Sequence, residues 1–299
     1  MSPRSHRVIA LLTFVAAGCA AEGPAAPAEI RSLSDAEARL VGQEVAGEVE
    51  DVAGSFTFVG LLWPSFPSAG IAATGGIQPA PMANCPTITP NPPVDTDGDR
   101  VPDDVTLSFT LPDCSLTRNG ATLEITGTIQ ITDPSATDFG IRVAFADLQH
   151  KLTQASGAFF LSRLNGPRQA LRSGAGFSLI DSTTADRESS EHGAAQLAKA
   201  WAISFVADPG LTVTQDRRLP NGDLSVQGST TWTRQGVSHS FTVSTPTPLH
   251  HDATCTTRPA FTSGELAVVK AGPDGTVTIH VVFNGCGVEP TVTVERAAV

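Results

Sequence analysis

A chain of 299 residues with 30 acidic against 19 basic side chains carries a net −11 with histidine neutral, and such a charge repels nucleic-acid phosphates and anionic lipid headgroups. The three lysines, Lys151, Lys199 and Lys270, lie far apart, so no polybasic surface reverses that exclusion. The length suits one large β domain or two smaller ones.

At the N-terminus Arg4 and Arg7 precede an apolar run from Val8 to Ala17, followed by Gly18 and Cys19. This is the layout of a signal peptide, and a run of roughly ten apolar residues is about half of what a membrane span needs. The small residues Ala16, Ala17 and Gly18 before Cys19 resemble the lipobox of bacterial lipoproteins, with Ala16 where Leu is usual. The resemblance implies that residues 1–18 are removed and that Cys19 becomes a lipidated first residue, the sole membrane attachment. Ala20, in place of Asp, implies sorting to the outer membrane or cell surface where the host has two membranes. The alternative is an ordinary cleaved signal with Cys19 incidental.

Loss of Arg4 and Arg7 leaves 17 basic against 30 acidic groups, a net −13. Setting Cys19 aside leaves Cys85, Cys114, Cys255 and Cys286, an even set suited to disulfides in an oxidising compartment. Three connectivities are open, and nearness in sequence favours Cys85 with Cys114 and Cys255 with Cys286.

Residues 19–33 read as a tether, because the Ala/Pro/Gly stretch AAEGPAAPA has too few large apolar groups to fold. A single domain is expected over 34–299, opening with a helix over 34–50. Ser34 and Glu37 form a capping box, and Leu40, Val41, Val45, Val49 and Val52 recur at helical spacing. The other face carries Glu37, Arg39, Gln43, Glu44 and Glu48, and the aliphatic stripe must lie on the strands that follow.

From Ser55 the period changes to two. Val105 to Leu111, Leu123 to Ile131, Trp201 to Phe205 and Val277 to Phe283 each alternate apolar residues with Thr, Ser or other polar ones, the pattern of half-buried strands. Asn119-Gly120, Asn165-Gly166, Asn221-Gly222 and Asp274-Gly275 read as tight hairpin turns. Glu188 to Ala200 suits helix or strand, with strand favoured from Gln196. The fold class is therefore all-β, mainly an antiparallel meander of about a dozen strands, as a barrel, half-barrel or sandwich, with one N-terminal amphipathic helix. Absence of Tyr, only three Trp and the polar C-terminal end disfavour a membrane-spanning barrel.

The sharpest motif is Asp95-Thr96-Asp97-Gly98-Asp99, running on to Asp103 and Asp104. Carboxylates at alternate positions of a tight loop repel one another unless a hard divalent cation sits between them. The run resembles thrombospondin type 3 calcium repeats and the EF-hand-like loops of bacterial envelope proteins. That resemblance implies structural calcium, with side-chain ligands from Asp95, Asp97 and Asp99, the carbonyl of Val101, and Asp103 directly or through water. Arg100 stands where such loops carry Gly, and Thr106 where an EF-hand supplies a bidentate Glu.

Other candidates are bland. His250, His251 and Asp252, with His239 and His280, lack the spacing of a zinc site. Neither G-x-S-x-G nor S-x-x-K occurs, and Ser190-Glu191-His192 on a strand cannot converge on one substrate. Trp63, Trp201 and Trp232 read as core. The expected function is a lipid-anchored envelope binding or structural module without catalysis. The alternatives are a lipocalin-like carrier of an apolar ligand and a glycan-acting enzyme.

Overall fold

The computed structural model describes residues 33–54, 85–99, 101–135, 139–190, 193–213, 219–273 and 275–298. All of them belong to one compact unit, Leu33–Val299. Cys19 with its signal segment, Trp63, Arg100, Glu191, His192 and Asp274 lie outside the described residues.

The helix α1 spans Asp35–Gly54. Its N-terminus is closed by the capping box: the Glu37 N–H donates to Ser34 Oγ at 3.3 Å, and the Ser34 N–H donates to Glu37 Oε2 at 3.0 Å. Val52 and Ala53 extend the buried stripe of Val41, Val45 and Val49, which carries the helix one turn past residue 50. Gly42 sits where α1 lies closest to the sheet, since a Cβ there would meet Ile279 at 2.8 Å and Val292 at 3.0 Å.

Fourteen strands follow. They are β1 (Thr87–Thr89), β2 (Asp104–Phe109), β3 (Ser115–Arg118), β4 (Ala121–Thr132), β5 (Gly140–Thr153), β6 (Phe159–Ser173) and β7 (Gly176–Asp181). The second half comprises β8 (Thr184–Ser189), β9 (Gly193–Ala207), β10 (Gly222–Arg234), β11 (Val237–His251), β12 (Phe261–Gly272), β13 (Gly275–Val282) and β14 (Thr291–Ala297). They form one antiparallel sheet in near-sequential order, β1-β2-β4-β5-β6-β7-β9-β10-β11-β12-β13-β14, with β3 beside β4 and β8 between β6 and β9. The expected meander is present as a single continuous sheet and not as two stacked ones.

The pairing explains one irregularity. Strands β7 and β8 keep the same register against β6 and β9 and together form one line, interrupted at Ser182–Thr183. Opposite the interruption stands Pro167, which has no N–H to donate, so the ladder must lapse there. Asn165-Gly166 therefore lies inside β6 and makes no hairpin; Gly166 has φ +101°, and a Cβ there would strike the Ser182 carbonyl at 2.3 Å.

Asn221-Gly222 also departs from expectation, opening β10 at the end of a long connection from β9. Asn119-Gly120 does close the β3–β4 hairpin, both residues having positive φ, and Gly272 pairs with Gly275 across the β12–β13 turn. The β10–β11 hairpin turns on Gln235-Gly236, again with two positive φ values, although no Asn or Asp marks it. The ambiguous stretch is strand from Gly193, three residues before Gln196.

Inward side chains of the strands and the stripe of α1 share one core, with Trp201, Trp232, Phe109, Phe205 and Phe261 among its largest fully buried members. Cys85–Cys114 and Cys255–Cys286 are disulfides, with Cα separations of 5.3 and 5.7 Å. Two disulfides in a folded chain point to an extracytoplasmic compartment.

Candidate functional site

Two regions gather ionised groups: the loop between β1 and β2, and the underside of α1.

The loop is anchored at both ends. Val101 and Pro102 are buried, the Asp103 N–H donates to the Val94 carbonyl at 2.9 Å, and the Cys85–Cys114 bridge closes the whole excursion. Between these anchors successive Asx turns fold the chain. Asp95 Oδ1 accepts from the Gly98 N–H at 2.8 Å, Asp97 Oδ1 from the Asp99 N–H at 3.2 Å, and Asp99 Oδ1 from the Val101 N–H at 2.7 Å. Each of Asp95, Asp97 and Asp99 brings a carboxylate oxygen to within 4.8 Å of the others, so the three can hold a metal ion.

Asp99 is the least exposed of the three, and its carboxyl is raised by burial and by the charges of Asp97, Asp133 and Asp95, against the pull of the Val101 N–H. Asp103 does not join them. Its carboxylate turns to Thr96, accepting from the N–H at 3.0 Å and from the hydroxyl at 2.5 Å, and those bonds lower its pKa. Asp133, just past the end of β4, instead brings a further acid near Asp99. Asp133 lies far along the chain from the motif, and only the pairing of β2 with β4 and the Asp133 N–H bond to the Asp103 carbonyl (3.3 Å) bring it there.

Beneath α1 the arrangement is opposite in character. Glu44, Glu48 and Asp51 recur at spacings of four and three and form an acidic line beside the valine stripe. Glu44 Oε2 accepts from Trp232 Nε1 at 3.0 Å, Glu48 pairs with Lys199 and Arg187, and Asp51 pairs with Arg258 at 2.5 Å. The polar face of α1 is thus partly an inner one: Glu48 is only 6% exposed, because α1 runs across the strands from β14 to β8 and meets inward-pointing cations there.

Those cations sit at the Pro167 interruption. Arg168 Nη2 donates to Asp181 Oδ2 at 2.9 Å, Lys199 Nζ lies 3.3 Å from the same oxygen, and Thr183 Oγ1 donates to Asp181 Oδ1 at 2.6 Å. Burial alone would raise the Asp181 carboxyl, but Arg168 and Lys199 outweigh it and hold it down at about 2. Burial, with Arg168 and Arg187 nearby, lowers Lys199 to about 8, Asp181 pulling the other way.

No motif marks this cluster in the sequence, yet a signal exists. Lys199 continues the inward phase of Trp201, Ile203 and Phe205 two residues back, and Asp181 holds the inward phase of Phe177 and Leu179. A charge at a buried phase of a strand must find a partner.

Along the C-terminal half of α1 a cleft of about 280 Å³ opens against β6, β8, β9 and β10. Glu50 lines it, its carboxyl pushed up to about 7 by burial with Arg258 pulling back. Asp51 is raised to about 6 by burial, against Arg258 and Lys199. The loop carrying Arg258 is pinned by the Cys255–Cys286 bridge and by the Gly287 N–H donating to the Pro259 carbonyl at 2.9 Å.

The histidines are dispersed. His250 Nδ1 lies 2.9 Å from Asp223, buried His251 lies 2.9 Å from the Pro220 carbonyl, buried His239 stacks on Trp232, and His280 bonds Glu265 at 2.6 Å. Among the described residues none of them joins a metal-ligating group. Trp201 and Trp232 are core, each 1% exposed. No helix among the described residues is long and apolar enough to cross a membrane. No protein-family model, curated protein or solved structure matches the chain.

Proposed function

We propose that the chain is a lipid-anchored envelope module, binding or structural and without catalysis, in which calcium braces the β1–β2 loop. The observation that carries the reading is the convergence of Asp95, Asp97 and Asp99 within a disulfide-closed loop. Calcium is favoured over smaller divalent ions because it accepts six to eight oxygens in flexible geometry. The three carboxylates and the Val101 carbonyl supply the first ligands, water bridges to Asp103, and Asp133 adds charge. The likeness to thrombospondin type 3 loops supports the same assignment. The lipobox-like residues before Cys19 support the anchor, and the two disulfides support an exterior address where calcium is plentiful.

The carrier of an apolar ligand is the weaker reading, since the cleft beside α1 is lined by five carboxylates and three guanidiniums.

Thermal unfolding of the full chain with disulfides intact, in calcium and then in a chelator, tests the proposal. Calcium at about a hundred times its dissociation constant stabilises the fold by about 2.7 kcal/mol, and a double Asp97→Ala, Asp99→Ala variant loses that gain. A midpoint that calcium does not move overturns the site.

A further inference from the structure

Among the described residues, the cleft along α1 is lined by more acidic than basic groups. Five carboxylates line it against three guanidiniums, and its remaining walls include Leu40, Phe160 and Ala195. Most of these charges are already committed inside the chain. Glu48 is taken by Lys199 and Arg187, Asp51 by Arg258, and Glu44 by the Trp232 N–H. Glu50 stands apart: among the described residues no hydrogen bond holds its carboxyl, and the charge of Arg258 acts on it without one. Glu188 at the β8 rim adds a further negative charge, and Arg234 on β10 a positive one.

Position compounds the imbalance. Glu50 lies close to the C-terminal end of α1, where the backbone carbonyls concentrate negative potential, and the last turn of the helix has no basic residue to answer it. A carboxylate partly removed from water, beside the negative end of a helix and over apolar walls, is stabilised by a cation with a short hydrocarbon body. An anion would meet the net negative lining, and a neutral apolar ligand would leave Glu50 unsatisfied.

We propose that this cleft binds a small aliphatic ammonium ion, with Glu50 as its counter-ion and Leu40 and Phe160 as its apolar bed. The site is separate from the aspartate loop, and neither depends on the other.

The test uses the full chain with disulfides intact and calcium present, titrated with 1,5-diaminopentane at about pH 8 and followed by calorimetry. Saturable binding is expected, with 1,5-pentanediol giving none. Glu50→Gln is expected to weaken the diamine by about tenfold or more while unfolding at no lower temperature than the parent, since it removes a desolvated charge.

In the unmodified chain, binding should weaken as the pH falls from about 8 to about 5.5, because Glu50 takes up a proton over that interval, followed by Asp51 in the same cleft; Glu50→Gln should remove the earlier part of the fall. The Asp97→Ala, Asp99→Ala chain should bind the diamine as the parent does, which keeps this site distinguishable from the calcium loop. Absence of saturable binding at the higher pH, equal binding of the diol, or unchanged affinity in Glu50→Gln would each overturn the proposal.

Discussion

The β1–β2 loop and the cluster under α1 both crowd ionised side chains, and they resolve the crowding in opposite ways. In the loop like charges converge at the surface, where burial and then the charges of Asp97, Asp133 and Asp95 raise the pKa of Asp99. Under the helix, Arg168, Lys199 and Arg187 meet Asp181, Glu48 and the nearby Glu44, so the chain balances its own charge away from water. The same residue type is therefore raised at Asp99 and lowered at Asp181. Burial raises both carboxyls, and only at Asp181 do two cations together outweigh it. Carboxylates clustered at the surface can take up a cation, whereas charges paired away from water fix where α1 lies on the sheet.

The sharpest way to break the comparison is at Lys199. Lys199→Met leaves Asp181 and Glu48 short of a buried cation, and urea unfolding near neutral pH should show a loss of about 3–5 kcal/mol. A loss under about 1 kcal/mol would mean that the cluster contributes little to holding the helix.

Acid tests the buried side next. His150 is 3% exposed, and burial lowers its pKa from 6.5 to about 4. The unfolded chain thus binds this proton first, and stability falls as pH drops from about 6.5 to about 4, by about 3 kcal/mol in all. Glu50 and Asp51, with raised values, act in the reverse sense, favouring the fold as pH falls toward their unfolded values. Comparing His150→Leu with the parent by urea unfolding across that interval isolates the histidine: the variant should lose less by roughly the stated amount.

The smallest effect belongs to the loop. Asp133→Asn should weaken calcium binding by a few-fold, about 0.5–1 kcal/mol, and should slightly raise the midpoint in chelator by relieving Asp99. Titration of calcium against both chains, read by the unfolding midpoint, checks both signs. A variant indistinguishable from the parent in calcium and in chelator would remove Asp133 from the site.

Much of the molecule is legible along the chain. The capping box of Ser34 and Glu37, the valine stripe, the alternation in β4 and β9 and the Asn119-Gly120 turn are local, because a backbone hydrogen bond or a side-chain phase a few residues away determines each. The same holds for the aspartate loop, whose Asx turns reach only two or three residues. Local signals fail where they meet a distant neighbour. Asn165-Gly166 has the residues of a turn, but β6 runs straight on from its pairing with β8 to its pairing with β7, so the glycine accommodates the close Ser182 carbonyl instead.

Local patterns along the chain specify the class of structure: an N-terminal helix, period-two strands, local disulfide loops and a loop of convergent carboxylates. Which polar groups are buried depends on how these elements pack. A helix has no intrinsic solvent face; Glu44, Glu48 and Asp51 became an inner line because α1 crosses the strands where Trp232, Lys199 and Arg258 present their donors. Likewise Asp133 reaches Asp99, and Asp103 turns away to Thr96, through pairings that span dozens of residues. Long-range electrostatics depends on distances that no local pattern encodes.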